Sequence, residues 1–199
     1  MTRERSSSPA ELDHGPGFLD GARTLLGTAE PLYGNTYSLK PGDPAHLAFL
    51  TFFNEELKNL PLDGQVGESI EMRSDARQVL QRLTGFLDAQ LQGLADGRPW
   101  GQEAASGLQD IVESGHGNEL FKNIISPGHN ISGMGYSVDL GSSYAGEKPL
   151  FNNVRIKRYH ITNTEAGFQG EENGTIELTI HSGGLTVELE DGSFPGFRN

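Results

Sequence analysis

The stretch Arg155-Ile156-Lys157-Arg158-Tyr159-His160 gathers three cations, a phenol and an imidazole within six residues. In an extended strand, side chains alternate between faces, so Arg155, Lys157 and Tyr159 share one face and Arg158 and His160 the other. A guanidinium beside an ammonium can hold a phosphate or carboxylate, and a nearby histidine can give or take a proton near neutral pH. A second group, Glu188-Leu189-Glu190, sets two carboxylates on one strand face with an apolar residue turned away. A third is the loop pair His116 and His129, in Ser-Gly-His-Gly-Asn and Ser-Pro-Gly-His-Asn, which could work as acid and base if folding brings them together. No two of His14, His46, His116, His129, His160 and His181 have the close spacing of a helical metal pair, and there is no cysteine, so no metal site is expected. Gly133, Gly135, Gly141, Gly183 and Gly184 form neither a dinucleotide fingerprint nor a phosphate loop, so no cofactor is expected either.

A helical layer followed by a four-stranded sheet bearing His160 with Arg155 or Lys157 resembles the layout of metal-independent ribonuclease toxins. The resemblance implies a histidine acid or base and a cation that steadies a phosphorane-like transition state. Glu188 and Glu190 resemble the paired catalytic glutamates of ADP-ribosyltransferases. That would have one carboxylate orient the nicotinamide ribose and the other activate the acceptor. The likeness spans three residues, with Thr162-Asn163-Thr164 standing at short spacing where the family has a Ser/Thr-rich strand. A structural reading of the same residues competes. Arg155 and Lys157 would pair with Glu177 and Glu188 on neighbouring strands, each pair contributing roughly 0.2–1 kcal/mol. Glu188 and Glu190 would form a solvated face that discourages edge pairing.

The 199 residues, 27 acidic against 15 basic, carry a net charge of -12. The length fits one core domain. The acidity disfavours nucleic acid as a partner except through Arg155, Lys157 and Arg158. The excess is uneven: -7 lies in residues 43–125, -4 in 126–199 and -1 in 1–42. The chain shows no signal-peptide-like apolar stretch and no run of about 18 apolar residues, so the expectation is no membrane partner and a cytoplasmic protein or one released by a non-Sec route.

Residues 1–42, dense in Pro, Gly and Ser, read as an extended arm of low regular structure with apolar anchors along it. Asp43-Pro44 then opens a helix as N-cap and first residue, with Leu47, Leu50, Phe53, Leu57 and Leu60 as its apolar stripe. A second helix carries Val79, Leu83, Phe86, Leu87, Leu91 and Leu94 and is closed by Gly97 and Pro99. A third runs over about 102–113, and one helical turn covers about 118–125. From Ser126 the period changes to two, and four strands follow around Val138, Ile156, Leu178 and Val187, the last two joined at His181-Ser182-Gly183-Gly184. The spacing predicts an α+β fold in a single domain over 43–199: a helical half, 43–125, and a sheet half, 126–199, folded as a four-stranded antiparallel meander packed on the helices.

With no tight catalytic motif, the chain reads as a non-catalytic interaction or assembly subunit. Phe18, Leu25, Leu26 and Tyr33 of the arm, with Phe194 and Phe197 near the other end, would contact a protein partner or neighbouring copies. The alternative is a small effector enzyme of one of the two classes above. Whether Arg155, His160, Glu188 and His129 share one cleft discriminates between them.

Overall fold

Alternation of β-branched and polar residues over the second half of the chain gives four long strands. The computed structural model describes residues 17–27, 29–60, 70–71, 74–100, 103–115, 122–123, 131–164 and 167–190, with 131–137, 159–164 and 167–173 described by backbone course. Its helices are α1 (Gly17–Leu25), α2 (Pro44–Lys58), α3 (Ser74–Ala95) and the short α4 (Glu103–Ser106) and α5 (Gln109–Ser114). The strands β1 (Glu30–Tyr33), β2 (Thr36–Leu39), β5 (Ile131–Ala145), β6 (Lys148–Thr164), β7 (Gly167–His181) and β8 (Gly184–Glu190) form one six-stranded sheet in the order β1-β2-β8-β7-β6-β5. Every pairing in it is antiparallel. Two further strands, β3 (Ile70–Glu71) and β4 (Lys122–Asn123), pair separately.

The α+β class and the meander β5-β6-β7-β8 match the pattern of the sequence, and the sheet gains two strands from the first 42 residues. One face carries Val138, Leu140, Val154, Ile156, Ile176, Leu178, Ile180, Leu185, Val187 and Leu189, all buried. Helices cover that face, burying Phe49, Leu50, Phe53 and Leu57 from α2 and Val79, Leu80, Leu83 and Leu87 from α3. Each such side chain contributes roughly 1.5–3 kcal/mol on leaving water. Polar groups stitch the layers where the core would otherwise leave them unpaired. The Asn54 amide and the Lys58 ammonium both donate to Asp88 Oδ1, at 2.9 and 2.8 Å, joining α2 to α3. The buried Asn152 amide on β6 donates to the carbonyl of Ala105 on α4.

The arm reading is corrected for residues 17–39. Residues 17–25 form a helix whose Leu19 and Ala22 are buried with Leu26 just beyond, and 30–39 form a hairpin that extends the sheet through β2 against β8. Pro and Gly punctuate this stretch, but the elements between them are short enough to fit, and β8 gives β2 its partner. Other corrections are local. Leu47 lies off the buried stripe, which runs through His46, Phe49, Leu50, Phe53, Asn54 and Leu57. Asp43 sits at the N-cap of α2, but its carboxylate accepts from the Lys40 N–H at 2.9 Å, closing the preceding turn. The third helix is split in two at Gly107-Leu108, where a Cβ on Gly107 would stand 2.9 Å from the Phe86 ring. Lys122 and Asn123 are extended, not helical. At the end of α3, Arg98 N–H reaches the Gly93 carbonyl and Gly97 N–H that of Leu94, the paired bonds of a glycine-terminated helix.

One glycine decides how α1 joins the body. The β6–β7 register shifts between Arg158 and Tyr159, and opposite that shift Gly174 adopts φ +133°. A Cβ there would lie 2.4 Å from Leu19 Cδ1, so the bulge opens the space in which α1 docks. Gly34, at φ +52°, has nothing within 4 Å of such a Cβ and isolates the backbone effect. Gly174→Ala is therefore expected to cost about 2–4 kcal/mol in urea unfolding, from strain and overpacking together, and Gly34→Ala about 1 kcal/mol. Equal costs at the two sites would show that the Leu19 contact does not bear on stability.

Candidate functional site

Because burial of the apolar face fixes the register, the outward residues of five strands line up in rows. One row crosses the sheet as Asp139, Arg155, Glu177, Glu188 and Thr36, on β5, β6, β7, β8 and β2. The next holds Lys157, the buried Thr175 and Glu190, with the backbone of Ser137 in register beside Lys157. The Arg155 guanidinium donates to Glu177 Oε2 from both Nε, at 3.2 Å, and Nη2, at 2.8 Å, and lies 3.9 Å from Asp139. Those contacts hold Arg155 above its ordinary range, the hydrogen bond to Glu177 being the largest cause. The structural reading of Arg155 is therefore the observed one. Its charge is compensated by two carboxylates of its own sheet.

Glu188 stands directly opposite Glu177, and like charges so placed repel. Partial burial, the hydrogen bond with Glu177 and the charges of Glu177 and Glu190 hold the Glu188 carboxyl above the ordinary carboxylate range, with Arg155 opposing. Counting Asp139, Glu177, Glu188 and Glu190 against Arg155 and Lys157, these two rows carry -2, a surface that repels phosphate. Arg158 projects to the opposite face, as alternation requires, and its guanidinium lies 3.9 Å from Glu56 of α2. Glu56 is itself pushed above its ordinary range by burial, with Arg158 opposing. Arg155 and Glu188 thus share a face two strands apart, and Arg158 does not join them. The backbone of His160 pairs with Met134 and Glu171, and its side chain lies outside the described set. His116, His129, Phe194 and Phe197 lie outside the described residues, as do the side chains of Phe18, Tyr33 and Tyr159. Of the expected partner anchors, Leu26 is buried and Leu25 packs against the core, so both are spent on folding.

A second cluster, which the sequence reading missed, lies at the β7–β8 hairpin. Trp100, buried, donates from Nε1 to the His181 carbonyl at 2.7 Å. Gly183 N–H donates to His181 Nδ1 at 3.2 Å, while His181 Nε2 lies 3.1 Å from Thr186 Oγ1, so a neutral ring carries its proton on Nε2. The His46 ring stands edge-on to Trp100 with centroids 4.7 Å apart. His46 is fully buried, and neither ring nitrogen has a partner at good hydrogen-bond geometry, the Pro41 carbonyl giving at most a poorly aligned contact. Burial pushes its pKa down to about 4, against the pull of Asp43 and the Pro41 carbonyl, with His181 adding a little in the same downward sense. Outside this cluster, Leu47, Pro41, Pro44, Leu94, Gly97 and Arg98 line an open cleft of about 430 Å³. A smaller hollow of about 110 Å³, bordered by Gln90, Gly93, Trp100 and Glu103, lies on the other side of Arg98. The signal for His46 was its spacing: it stands four and eleven residues before Leu50 and Leu57, on the apolar stripe itself.

These two groups respond to pH in opposite senses. Glu188 titrates higher in the fold than in the unfolded chain, so its contribution is most favourable below the unfolded value and declines as pH rises through the folded one. Glu188→Gln is accordingly expected to stabilise the protein by roughly 0.5–1 kcal/mol at pH 7 in urea unfolding, with the gain disappearing at pH 4. Equal gains at both pH values would exclude charge repulsion as the cause. For His46 the unfolded chain binds the proton more tightly, so its contribution is complete above about pH 6.5 and lost as pH falls toward 4. That loss is on the order of 3 kcal/mol. His46→Leu is expected to raise stability at pH 7 by about 1–3 kcal/mol by removing poorly partnered polar atoms, and to flatten the acid limb of the stability profile. An acid limb unchanged in His46→Leu would contradict this account.

No protein-family model, no curated protein and no solved structure matches this chain.

Proposed function

We propose that this protein is a non-catalytic assembly subunit that binds neighbouring copies, or a protein partner, through its segments 1–16 and 191–199. The observation that carries the reading is where these segments meet the body. Leu19, near the start of α1, packs at Gly174, and Glu190, the last residue of β8, pairs with the adjacent Thr175. The two segments therefore join the folded body at one corner and can act together on one partner.

Charge supports self-association in particular. Of the net -12, segments 1–16 and 191–199 carry only -1, with three basic and four acidic residues between them. They can approach the acidic body of another copy without the repulsion that body-to-body contact would meet. The effector-enzyme alternative draws less support, because Arg155, one of the two cations the ribonuclease reading offers, is engaged by Glu177 and Asp139 on an open sheet face. Sedimentation velocity of the full chain across a hundredfold concentration range is expected to show reversible association, weakened when residues 1–16 and 191–199 are removed together. A full chain that stays monomeric throughout, with a sedimentation profile the removal does not change, would contradict self-association.

A further inference from the structure

We infer that the cleft bounded by Leu47, Leu94, Pro41, Pro44 and Arg98 is the docking site for the Phe194-Pro195-Gly196-Phe197 segment of a second copy of this chain. The inference rests on the assembly reading above and names the acceptor surface that it lacks. A single exposed leucine carries no message, but Leu47, 37% exposed in the first turn of α2, faces a concavity walled by two prolines and the half-buried Leu94, with Gly42 and Asp43 between the prolines and the Asp43 carboxylate bonded to the Lys40 N–H. Gly97 contributes no side chain there, and the cleft, at about 430 Å³, has the size of a ligand pocket with room for an aromatic ring. Arg98 stands at the rim. It is held by an exposed ion pair to Asp96 at 3.5 Å, a weak restraint, so its guanidinium can cover a bound ring and add cation–π attraction. Phenylalanine offers the apolar area such a cleft lacks, and buried aromatics with arginine are the usual anchors of protein interfaces.

Reach determines which copy supplies the ring. The cleft is tied to the hairpin end of β8 on both sides: Leu39, two residues before Pro41, pairs with Leu185, and Trp100, two residues after Arg98, binds the His181 carbonyl. β8 then runs its full length away from the hairpin to Glu190, a rise of about 20 Å. Phe194 is four residues beyond Glu190, at most about 14 Å of fully extended chain, and so cannot return to the cleft of its own molecule. Phe197, seven residues beyond Glu190 with at most about 25 Å of chain, could return only by running nearly straight back along the strand. A second copy meets no such limit. A segment leaving one end of the body and an acceptor at the other end is the arrangement of a heterologous contact, which propagates or closes into a ring.

Sedimentation equilibrium on the full chain tests this with three variants: Leu47→Glu, Arg98→Glu, and the double variant Phe194→Ser/Phe197→Ser, each checked for wild-type circular dichroism. Each is expected to weaken self-association at least tenfold. Mixing Leu47→Glu with the double phenylalanine variant is expected to restore mixed species, because one chain keeps an intact segment and the other an intact cleft. If the double variant loses association while both cleft variants retain it, the segment docks elsewhere, and the inference fails with the assembly reading intact. If the wild type itself is monomeric, the inference fails together with self-association, and only binding to a different protein partner is left of the assembly reading. Mixed species absent when each parent variant is impaired would also overturn the inference, since complementation follows from docking between copies.

Discussion

Burial of one face of β6, β7 and β8 is the constraint on which the rest depends. Val154, Ile156, Ile176, Leu178, Ile180, Val187 and Leu189 are all buried beneath the helices. Side chains alternate with a period of two, so a slip of β7 by one residue would turn Glu177 into the core and Leu178 out to water. The apolar cost of that slip fixes the register. Once it is fixed, Asp139, Arg155, Glu177 and Glu188 have no choice but to stand in one row. The charged row is thus a by-product of packing, and its Arg155–Glu177 pair offsets only part of the repulsion between Glu177 and Glu188.

Two features work against stability and are kept. Glu188 opposes a like charge, and His46 sits buried against Trp100 without a well-aligned hydrogen bond. The first lies on β8, an interior strand paired on both sides, where partial exposure and the Arg155 charge soften the repulsion. The second holds the N-terminal turn of α2 against Trp100, and through Trp100 against the β7–β8 hairpin. The same turn brings Pro44 and Leu47 to the cleft. Packing at His46 and the shape of the outer cleft are therefore set by one helical turn.

Much of this was legible in the residues. Period-two alternation around Val154 and Ile176 announced the strands, and the Gly-rich turn after His181 announced their hairpin. The structural pairing of Arg155 with Glu177 followed from neighbouring strands alone. What was not legible depended on contacts distant in sequence. α1 forms between glycines and prolines because the bulge at Gly174, some 155 residues later, leaves a seat for Leu19. β2 is a strand because β8 pairs with it, which no local pattern announces. His46 is not legible because a polar residue interrupts the apolar stripe, and the local pattern favours Leu47 in its place. The cleft is hidden for the same reason, since a stripe drawn through Leu47 turns that residue inward.

Association through segment 191–199 is the central functional claim, and a dilution series followed residue by residue reads it most directly. Backbone amide shifts of the full chain, recorded by heteronuclear NMR from millimolar to micromolar concentration, are expected to move at Phe194, Phe197, Leu47 and Arg98 with one shared midpoint. Those of Ile176 and Val187, deep in the sheet, are expected to stay fixed. Shifts at Phe194 and Phe197 that are independent of concentration, or that move without any change at Leu47 and Arg98, would contradict the account.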